Sequence, residues 1–234
     1  MPFDLLVFDL DGTLIDSKLD LALAVNATRA DAGLGDLPHE KIYTYVGNGA
    51  PMLIRRALGP EASDEQAERS LLYFYAYYRE HMLDNTTLYP GVREALDQWH
   101  GEGKALAVLT NKPVRFSRDI VAGLDLADHF RQVYGGNSFE SKKPDPYGLQ
   151  LVMDENGIPA ARTLMVGDSA VDVQTARNAG TASAGVTYGL QPETFEEHPP
   201  DFLVDRMEEL LAVTRNGHGR TLAAPEGTQL KLEL

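Results

Sequence analysis

The sequence predicts an α/β fold: a doubly wound parallel sheet with a block of helices inserted after its first strand. Three observations carry that expectation. Short apolar runs without polar alternation recur along the chain, beginning with Leu5-Leu6-Val7-Phe8, and strands buried on both faces require such runs. Helical stretches separate the later runs, and strand alternating with helix is the pattern of a parallel sheet. Between about Ser17 and Leu88 the alternation stops, and only helical patterns are found.

Each element follows from its residues. In the helical block the longest pattern spans Asp64 to Leu83, where Leu71, Leu72, Phe74, Tyr75, Tyr78 and Met82 form a wide apolar face. Ser63 or Asp64 is the expected N-cap. The aromatic cluster from Tyr73 to Tyr78 reads as helix packing rather than a ring-stacking site. Further strands are expected at Ala105–Leu109, Thr163–Val166 and Ala182–Val186, with a weaker one at Phe202–Val204. Helices are expected from Gly91 to His100, Val114 to Leu124, Pro146 to Asn156 and Ala170 to Ala179. The expected organisation is therefore a core of residues 1–16 and 88–214, a helical domain over 17–87, and a tail from 215 to 234. The closing Gln229-Leu230-Lys231-Leu232-Glu233-Leu234 alternates, and reads as a late edge strand or a disordered tail.

Composition narrows the function. The 234 residues carry 35 acidic and 21 basic side chains, a net charge of −14. Phosphate backbones and anionic lipids are held by clustered Lys and Arg, so neither nucleic acid nor a membrane surface is an expected partner. The absence of cysteine excludes disulfides, thiol catalysis and thiolate metal sites. No apolar run approaches membrane-spanning length. Met1-Pro2-Phe3-Asp4 opens with an acid and no Lys or Arg, unlike a secretory leader. The expectation is a soluble cytoplasmic protein, monomer or homodimer. Its six histidines are scattered without metal-ligand spacing and read as structural.

Four stations concentrate the chemistry. Asp9 and Asp11 directly follow the first apolar run, in Phe8-Asp9-Leu10-Asp11-Gly12-Thr13. That places them at the carboxyl edge of the sheet, where open α/β folds bind ligands. Carboxylates at i and i+2 can point into one small volume, at a cost unless a metal neutralises them or one holds a proton. Thr110 and Asn111 end the second run with a hydroxyl and an amide. Asp168 ends the third, and Asp172 falls in the first turn of the next helix. These acids also suit an N-cap and a dipole-favoured first-turn position, roles compatible with metal contact. Two of them with Asp9 would form an all-oxygen site suited to Mg²⁺ rather than zinc. Lys142-Lys143-Pro144 is either a solvated loop or the cation that an incoming phosphate would need.

Together, Asp9-Leu10-Asp11-Gly12-Thr13, Thr110-Asn111, Lys143-Pro144 and Gly167-Asp168-Ser169-x-x-Asp172 resemble the motifs of the haloacid-dehalogenase-like phosphatase superfamily, over the chain to about residue 213. The helical block resembles that superfamily's C1 cap. Val46-Gly47-Asn48-Gly49-Ala50, Gly135-Gly136 and Lys142-Lys143-Pro144 are similar to its bacterial phosphoglycolate phosphatase branch. The resemblance implies that Asp9 attacks phosphorus to form an aspartyl-phosphate and that Asp11 acts as acid and then base. It further implies that Mg²⁺ sits on the Asp9 carboxylate, the Asp11 backbone carbonyl and Asp168, with Asp172 in support. Thr110, Asn111 and Lys143 would bind the transferring oxygens. The implied substrate is a small phosphate ester, foremost 2-phosphoglycolate. Its carboxylate is expected at Gly47, Asn48 and Gly49, with Arg55 or Arg56 adding charge. Other readings stay open: a phosphatase for a sugar phosphate, amino-sugar phosphate or pyrophosphate, a β-phosphoglucomutase-like phosphotransferase, and a phospho-acceptor signalling module. Asp11 and the inserted helices favour the enzyme.

Overall fold

The computed structural model describes residues 3–216. The chain enters through β1 (Leu5–Phe8) and a two-residue strand β2 (Ile15–Asp16), then forms four helices: α1 (Lys18–Asp31), α2 (His39–Tyr43), α3 (Ala50–Leu58) and α4 (Asp64–His81). It returns through β3 (Thr87–Leu88), which pairs antiparallel with β2, Ile15 opposite Leu88. Helix and strand then alternate through α5 (Val92–Gly101), β4 (Ala105–Leu109), α6 (Val114–Gly123), β5 (Gln132–Tyr134), α7 (Tyr147–Asn156), β6 (Thr163–Gly167), α8 (Ala170–Ala179) and β7 (Ala182–Val186). The strand β8 (Phe202–Val204) and the helix α9 (Glu209–Asn216) complete the described chain.

Six strands form one parallel sheet in the order β5-β4-β1-β6-β7-β8. β1 is central, with Phe8 level with Val108 on one side and Val166 on the other. Residue 9 therefore leaves the sheet beside the ends of β4 and β6. The strand order reverses at this point, which is where such sheets open a binding crevice. All four β1 residues are inaccessible to solvent. Leu6 and Phe8 face one core with Trp99 and Val166, while Leu5 and Val7 face another with Leu149 and Met165. At about 1.5–3 kcal/mol for each buried large side chain, these contacts fix the strand firmly.

The core around Phe8 continues into the helical segment through Ile42, Leu53, Phe74 and Tyr78. Asp20, in the first turn of α1, is buried and accepts hydrogen bonds from the Asn85 backbone (3.1 Å) and the Thr86 hydroxyl (2.8 Å). One carboxylate thus ties the chain leaving the sheet to the chain returning to it.

Several elements differ from expectation. Helix α4 is capped by Ser63, whose hydroxyl accepts from the Gln66 amide, but the helix ends at His81. Leu72 is 70% exposed, because it stands roughly 200° around the helix from Phe74. β5 was not expected: Gln132-Val133-Tyr134 is a half-buried edge strand and carries no continuous apolar run. Leu88, expected to close a strand-free block, lies in β3 with Thr87. Arg215 continues α9, and the alternating Gln229–Leu234 lies outside the described residues. Among the described residues no helix is long and apolar enough to cross a membrane.

Candidate active site

The turn after β1 depends on Gly12. Its φ is +81°, and a Cβ there would lie 2.1 Å from a carboxylate oxygen of Asp168. Only glycine tolerates both conditions, so the turn brings the β1 and β6 acids together.

Asp9 is held on both oxygens. Oδ1 accepts from the Leu10 amide (2.7 Å) and Oδ2 pairs with Lys143 (3.1 Å). The Thr110 hydroxyl is a further hydrogen-bond partner. Burial pushes the Asp9 carboxyl up to about 6; Lys143 opposes the shift and Asp172 adds to it. Burial also raises Asp168 well above the usual carboxylate range, reinforced by Asp172 and Asp9, although Asp168 accepts from the Leu190 amide (2.6 Å). Asp172 pairs with Lys143 at 2.6 Å and accepts from the Ser169 amide (3.2 Å) and hydroxyl (2.9 Å). It is thus both a capping residue and a member of the site. A Cβ at Gly167 would sit 2.1 Å from the Asp172 carboxyl carbon, so the close approach needs glycine.

Carboxylate oxygens of Asp9, Asp168 and Asp172 lie within 4.8 Å of one another. Burial would lower the Lys143 ammonium, but Asp172 and Asp9 outweigh it and raise its pKa. One lysine cannot balance three carboxylates. The surplus of buried negative charge on hard oxygen donors fits a divalent cation.

The Asp11 carboxylate points elsewhere. It accepts from the Ser17 hydroxyl at 2.5 Å and from Lys112 Nζ at 3.0 and 3.1 Å. It is outside the carboxylate cluster, which leaves only its backbone carbonyl for the metal role implied by the resemblance. Lys112 also donates to the Tyr78 hydroxyl (2.8 Å), and its Nζ lies 4.6 Å from that ring's centre. Burial would depress Lys112, but the Asp11 charge, followed by Tyr78, outweighs it and raises the ammonium. Burial pushes the Tyr78 phenol up to about 12. At neutral pH the pair is an ammonium and a neutral phenol.

The loop between α2 and α3 is docked on the sheet edge by three core side chains. Asn111 donates to the Gly47 carbonyl (3.0 Å), Lys142 to that of Asn48 (2.6 Å) and Gln191 to that of Val46 (2.8 Å). Asn111 Nδ2 also donates to the Lys143 carbonyl (3.1 Å), while its Oδ1 is buried without a partner. Between loop and sheet lies a cavity of about 50 Å³, walled by Asp9, Asp11 and Thr110 below and by Gly47, Gly49, Leu53 and Phe74 above.

The structure therefore gathers Asp9, Asp11, Thr110, Asn111, Lys143, Asp168, Asp172, Gly47 and Gly49 at one place. Asn48 is present through its carbonyl. Arg55 is not brought in: its guanidinium bonds the Ala62 carbonyl (3.1 Å) and Asp64. Arg56 bonds the Tyr45 carbonyl (3.2 Å). Sequence reasoning missed Lys112, Tyr78, Ser17 and Gln191. Lys112 carried a faint signal, since it follows Thr110 at the interval by which Asp11 follows Asp9.

Residues 6–186 match the haloacid dehalogenase-like hydrolase family. The chain is similar to a phosphoglycolate phosphatase of Vibrio vulnificus, 41% identical over 216 residues, covering 89% of this chain and 95% of that protein. It is similar to one of Pseudomonas fluorescens at 40% identity over 214 residues, 88% of this chain and 78% of the other. Among solved structures it resembles a predicted phosphoglycolate phosphatase of Haemophilus somnus, with a TM-score of 0.87 and 32% identity over 91% of this chain and 98% of that one.

Proposed function

Because the chain belongs to the haloacid dehalogenase-like hydrolase family, we propose that it hydrolyses 2-phosphoglycolate to glycolate and phosphate through a phosphorylated Asp9. The observation that carries this reading is the separation of two neighbouring acids by their partners. Asp9 pairs with Lys143 beside the carboxylate cluster, while Asp11 pairs with Lys112 beneath the helical segment, and both line one cavity.

An Asp9 carboxylate oxygen attacks phosphorus as the bond to the leaving alkoxide breaks. Asp11 gives its proton to that alkoxide. Asp11 then takes a proton from water, whose oxygen attacks phosphorus and displaces the Asp9 carboxylate, releasing phosphate. Thr110 and Lys143 hold the transferring oxygens; Lys143 also keeps Asp9 from repelling the incoming dianion. Asp9, Asp168 and the Asp11 carbonyl, supported by Asp172, would hold Mg²⁺, which would supply positive charge to the phosphoryl oxygens.

In this reading residues 17–87 form a cap and residues 1–16 and 88–214 the catalytic core. Asn111, Lys142 and Gln191 seat the cap loop. Gly47 and Gly49 border the leaving group, and the loop spends the carbonyls of Val46, Gly47 and Asn48 on those core donors. Two relatives at about 40% identity, both phosphoglycolate phosphatases, support the substrate. A panel of phosphate esters assayed with Mg²⁺ tests it. The highest kcat/KM is expected for 2-phosphoglycolate, and a sugar phosphate or pyrophosphate ranking first would reassign the substrate.

A further inference from the structure

Resting on that substrate reading, we propose that Lys112, together with Tyr78, recognises the carboxylate of the leaving group. Among the described residues Lys112 is the only cationic side chain in the cavity wall. The arginines expected to serve there are engaged with the Ala62 and Tyr45 carbonyls and Asp64. Lys142 is bonded to the Asn48 carbonyl, and the amide nitrogens of Asn111 and Gln191 are committed to loop carbonyls.

Position supports the same assignment. Asp11 must reach the bridging oxygen to protonate it, and in 2-phosphoglycolate one methylene separates that oxygen from the carboxylate carbon. A carboxylate so close to the Asp11 contact falls beside the group that flanks Asp11, and Lys112 Nζ is 3.0 Å from an Asp11 oxygen. Lys112 touches both Asp11 oxygens, so one N–H can turn to a second carboxylate while the other contact remains. Tyr78 accepts from Lys112, which leaves its own O–H hydrogen for an acceptor in the cavity. The remaining wall there is apolar, with Leu53, Phe74 and Phe116, and offers nothing to a polyhydroxy leaving group.

The test compares 2-phosphoglycolate with ethyl phosphate, which has the same chain length and no carboxylate, in the wild type, Lys112→Met and Tyr78→Phe. Lys112→Met is expected to weaken both reactions, because Asp11 loses its partner, but to lower kcat/KM for 2-phosphoglycolate by about a further 10- to 100-fold, with a raised KM. Its competitive inhibition by glycolate should weaken by about 10-fold or more, while inhibition by inorganic phosphate changes little. Tyr78→Phe should shift the same ratio by a few-fold and carries the test if Lys112→Met does not fold. Equal losses on both esters with unchanged glycolate inhibition would overturn the assignment and leave Lys112 a positioning residue for Asp11. A wild type that does not prefer 2-phosphoglycolate to ethyl phosphate would instead remove the substrate reading, and this assignment with it.

Discussion

The two sides of the cavity solve opposite electrostatic problems. On one side Asp9, Asp168 and Asp172 share a single lysine, Lys143, and the members come from the sheet edge, the loops beside it and the first turn of α8. On the other, Asp11 has Lys112 to itself, and the pair is completed by Tyr78 from α4. The first side is charge-unbalanced, and burial with mutual repulsion lifts Asp9 and Asp168 out of the ordinary carboxylate range. The second is balanced within itself. Unbalanced acids call for a cation; the pair with Lys112 holds Asp11 apart from them. The first side is built from the sheet and the segments that follow its strands. The second exists only where the helical segment meets it.

Substitutions can break this comparison one side at a time. The largest effect is expected from Asp9→Asn, since an amide is no competent nucleophile: turnover should fall roughly 10⁴- to 10⁶-fold, measured by phosphate release, with the thermal transition retained.

Removing metal attacks the same side. Chelation with EDTA should bring activity to background, and Mg²⁺ should restore it. The unbalanced cluster also fixes the sign of a pH effect in the metal-free protein. Asp9 ionises near 6 when folded and near 4 when unfolded, so between those values the folded state binds more protons and stability falls as pH rises. The raised Asp168 extends the loss upward. Melting curves at pH 5 and 7 should show Mg²⁺ stabilising the protein more at pH 7.

On the other side, Asp11→Asn should slow turnover by about 10²- to 10⁴-fold, with a smaller defect for p-nitrophenyl phosphate, whose leaving group needs no proton. A defect of the same size for every leaving group, with phosphoryl transfer rate-limiting, would contradict the acid role. The smallest effect is expected from Gln191→Ala, which removes one tie between the core and the Val46 carbonyl. A neutral hydrogen bond contributes about 0.5–1.5 kcal/mol, so KM should rise a few-fold with kcat little changed.

The same division decides what the sequence disclosed. Strands buried on both faces leave continuous apolar runs, and the residue after such a run must stand at the sheet edge; Asp9, Thr110 and Asp168 were legible for that reason. β5 was not, because Gln132 and Tyr134 flank a single aliphatic residue on a half-buried edge. Tyr78 reads as one more member of the α4 apolar stripe, and Lys112 was passed over. Their meeting is set by how α4 docks on the sheet, which no local pattern records. Arg55 was misplaced for a related reason: the α3–α4 connection and the start of α4 offer nearer acceptors in Ala62 and Asp64, and a side chain satisfied locally does not reach into the cavity.

The central claim is that Asp9 becomes phosphorylated during turnover. Rapid quenching of the Mg²⁺-loaded enzyme with 2-phosphoglycolate, followed by borohydride reduction and peptide mass spectrometry, tests it directly. Reduction of an aspartyl-phosphate yields homoserine, so the account predicts homoserine at position 9 in the wild type, absent without substrate. Homoserine at position 11 instead, or a phosphorylated side chain elsewhere with position 9 unmodified, would contradict it.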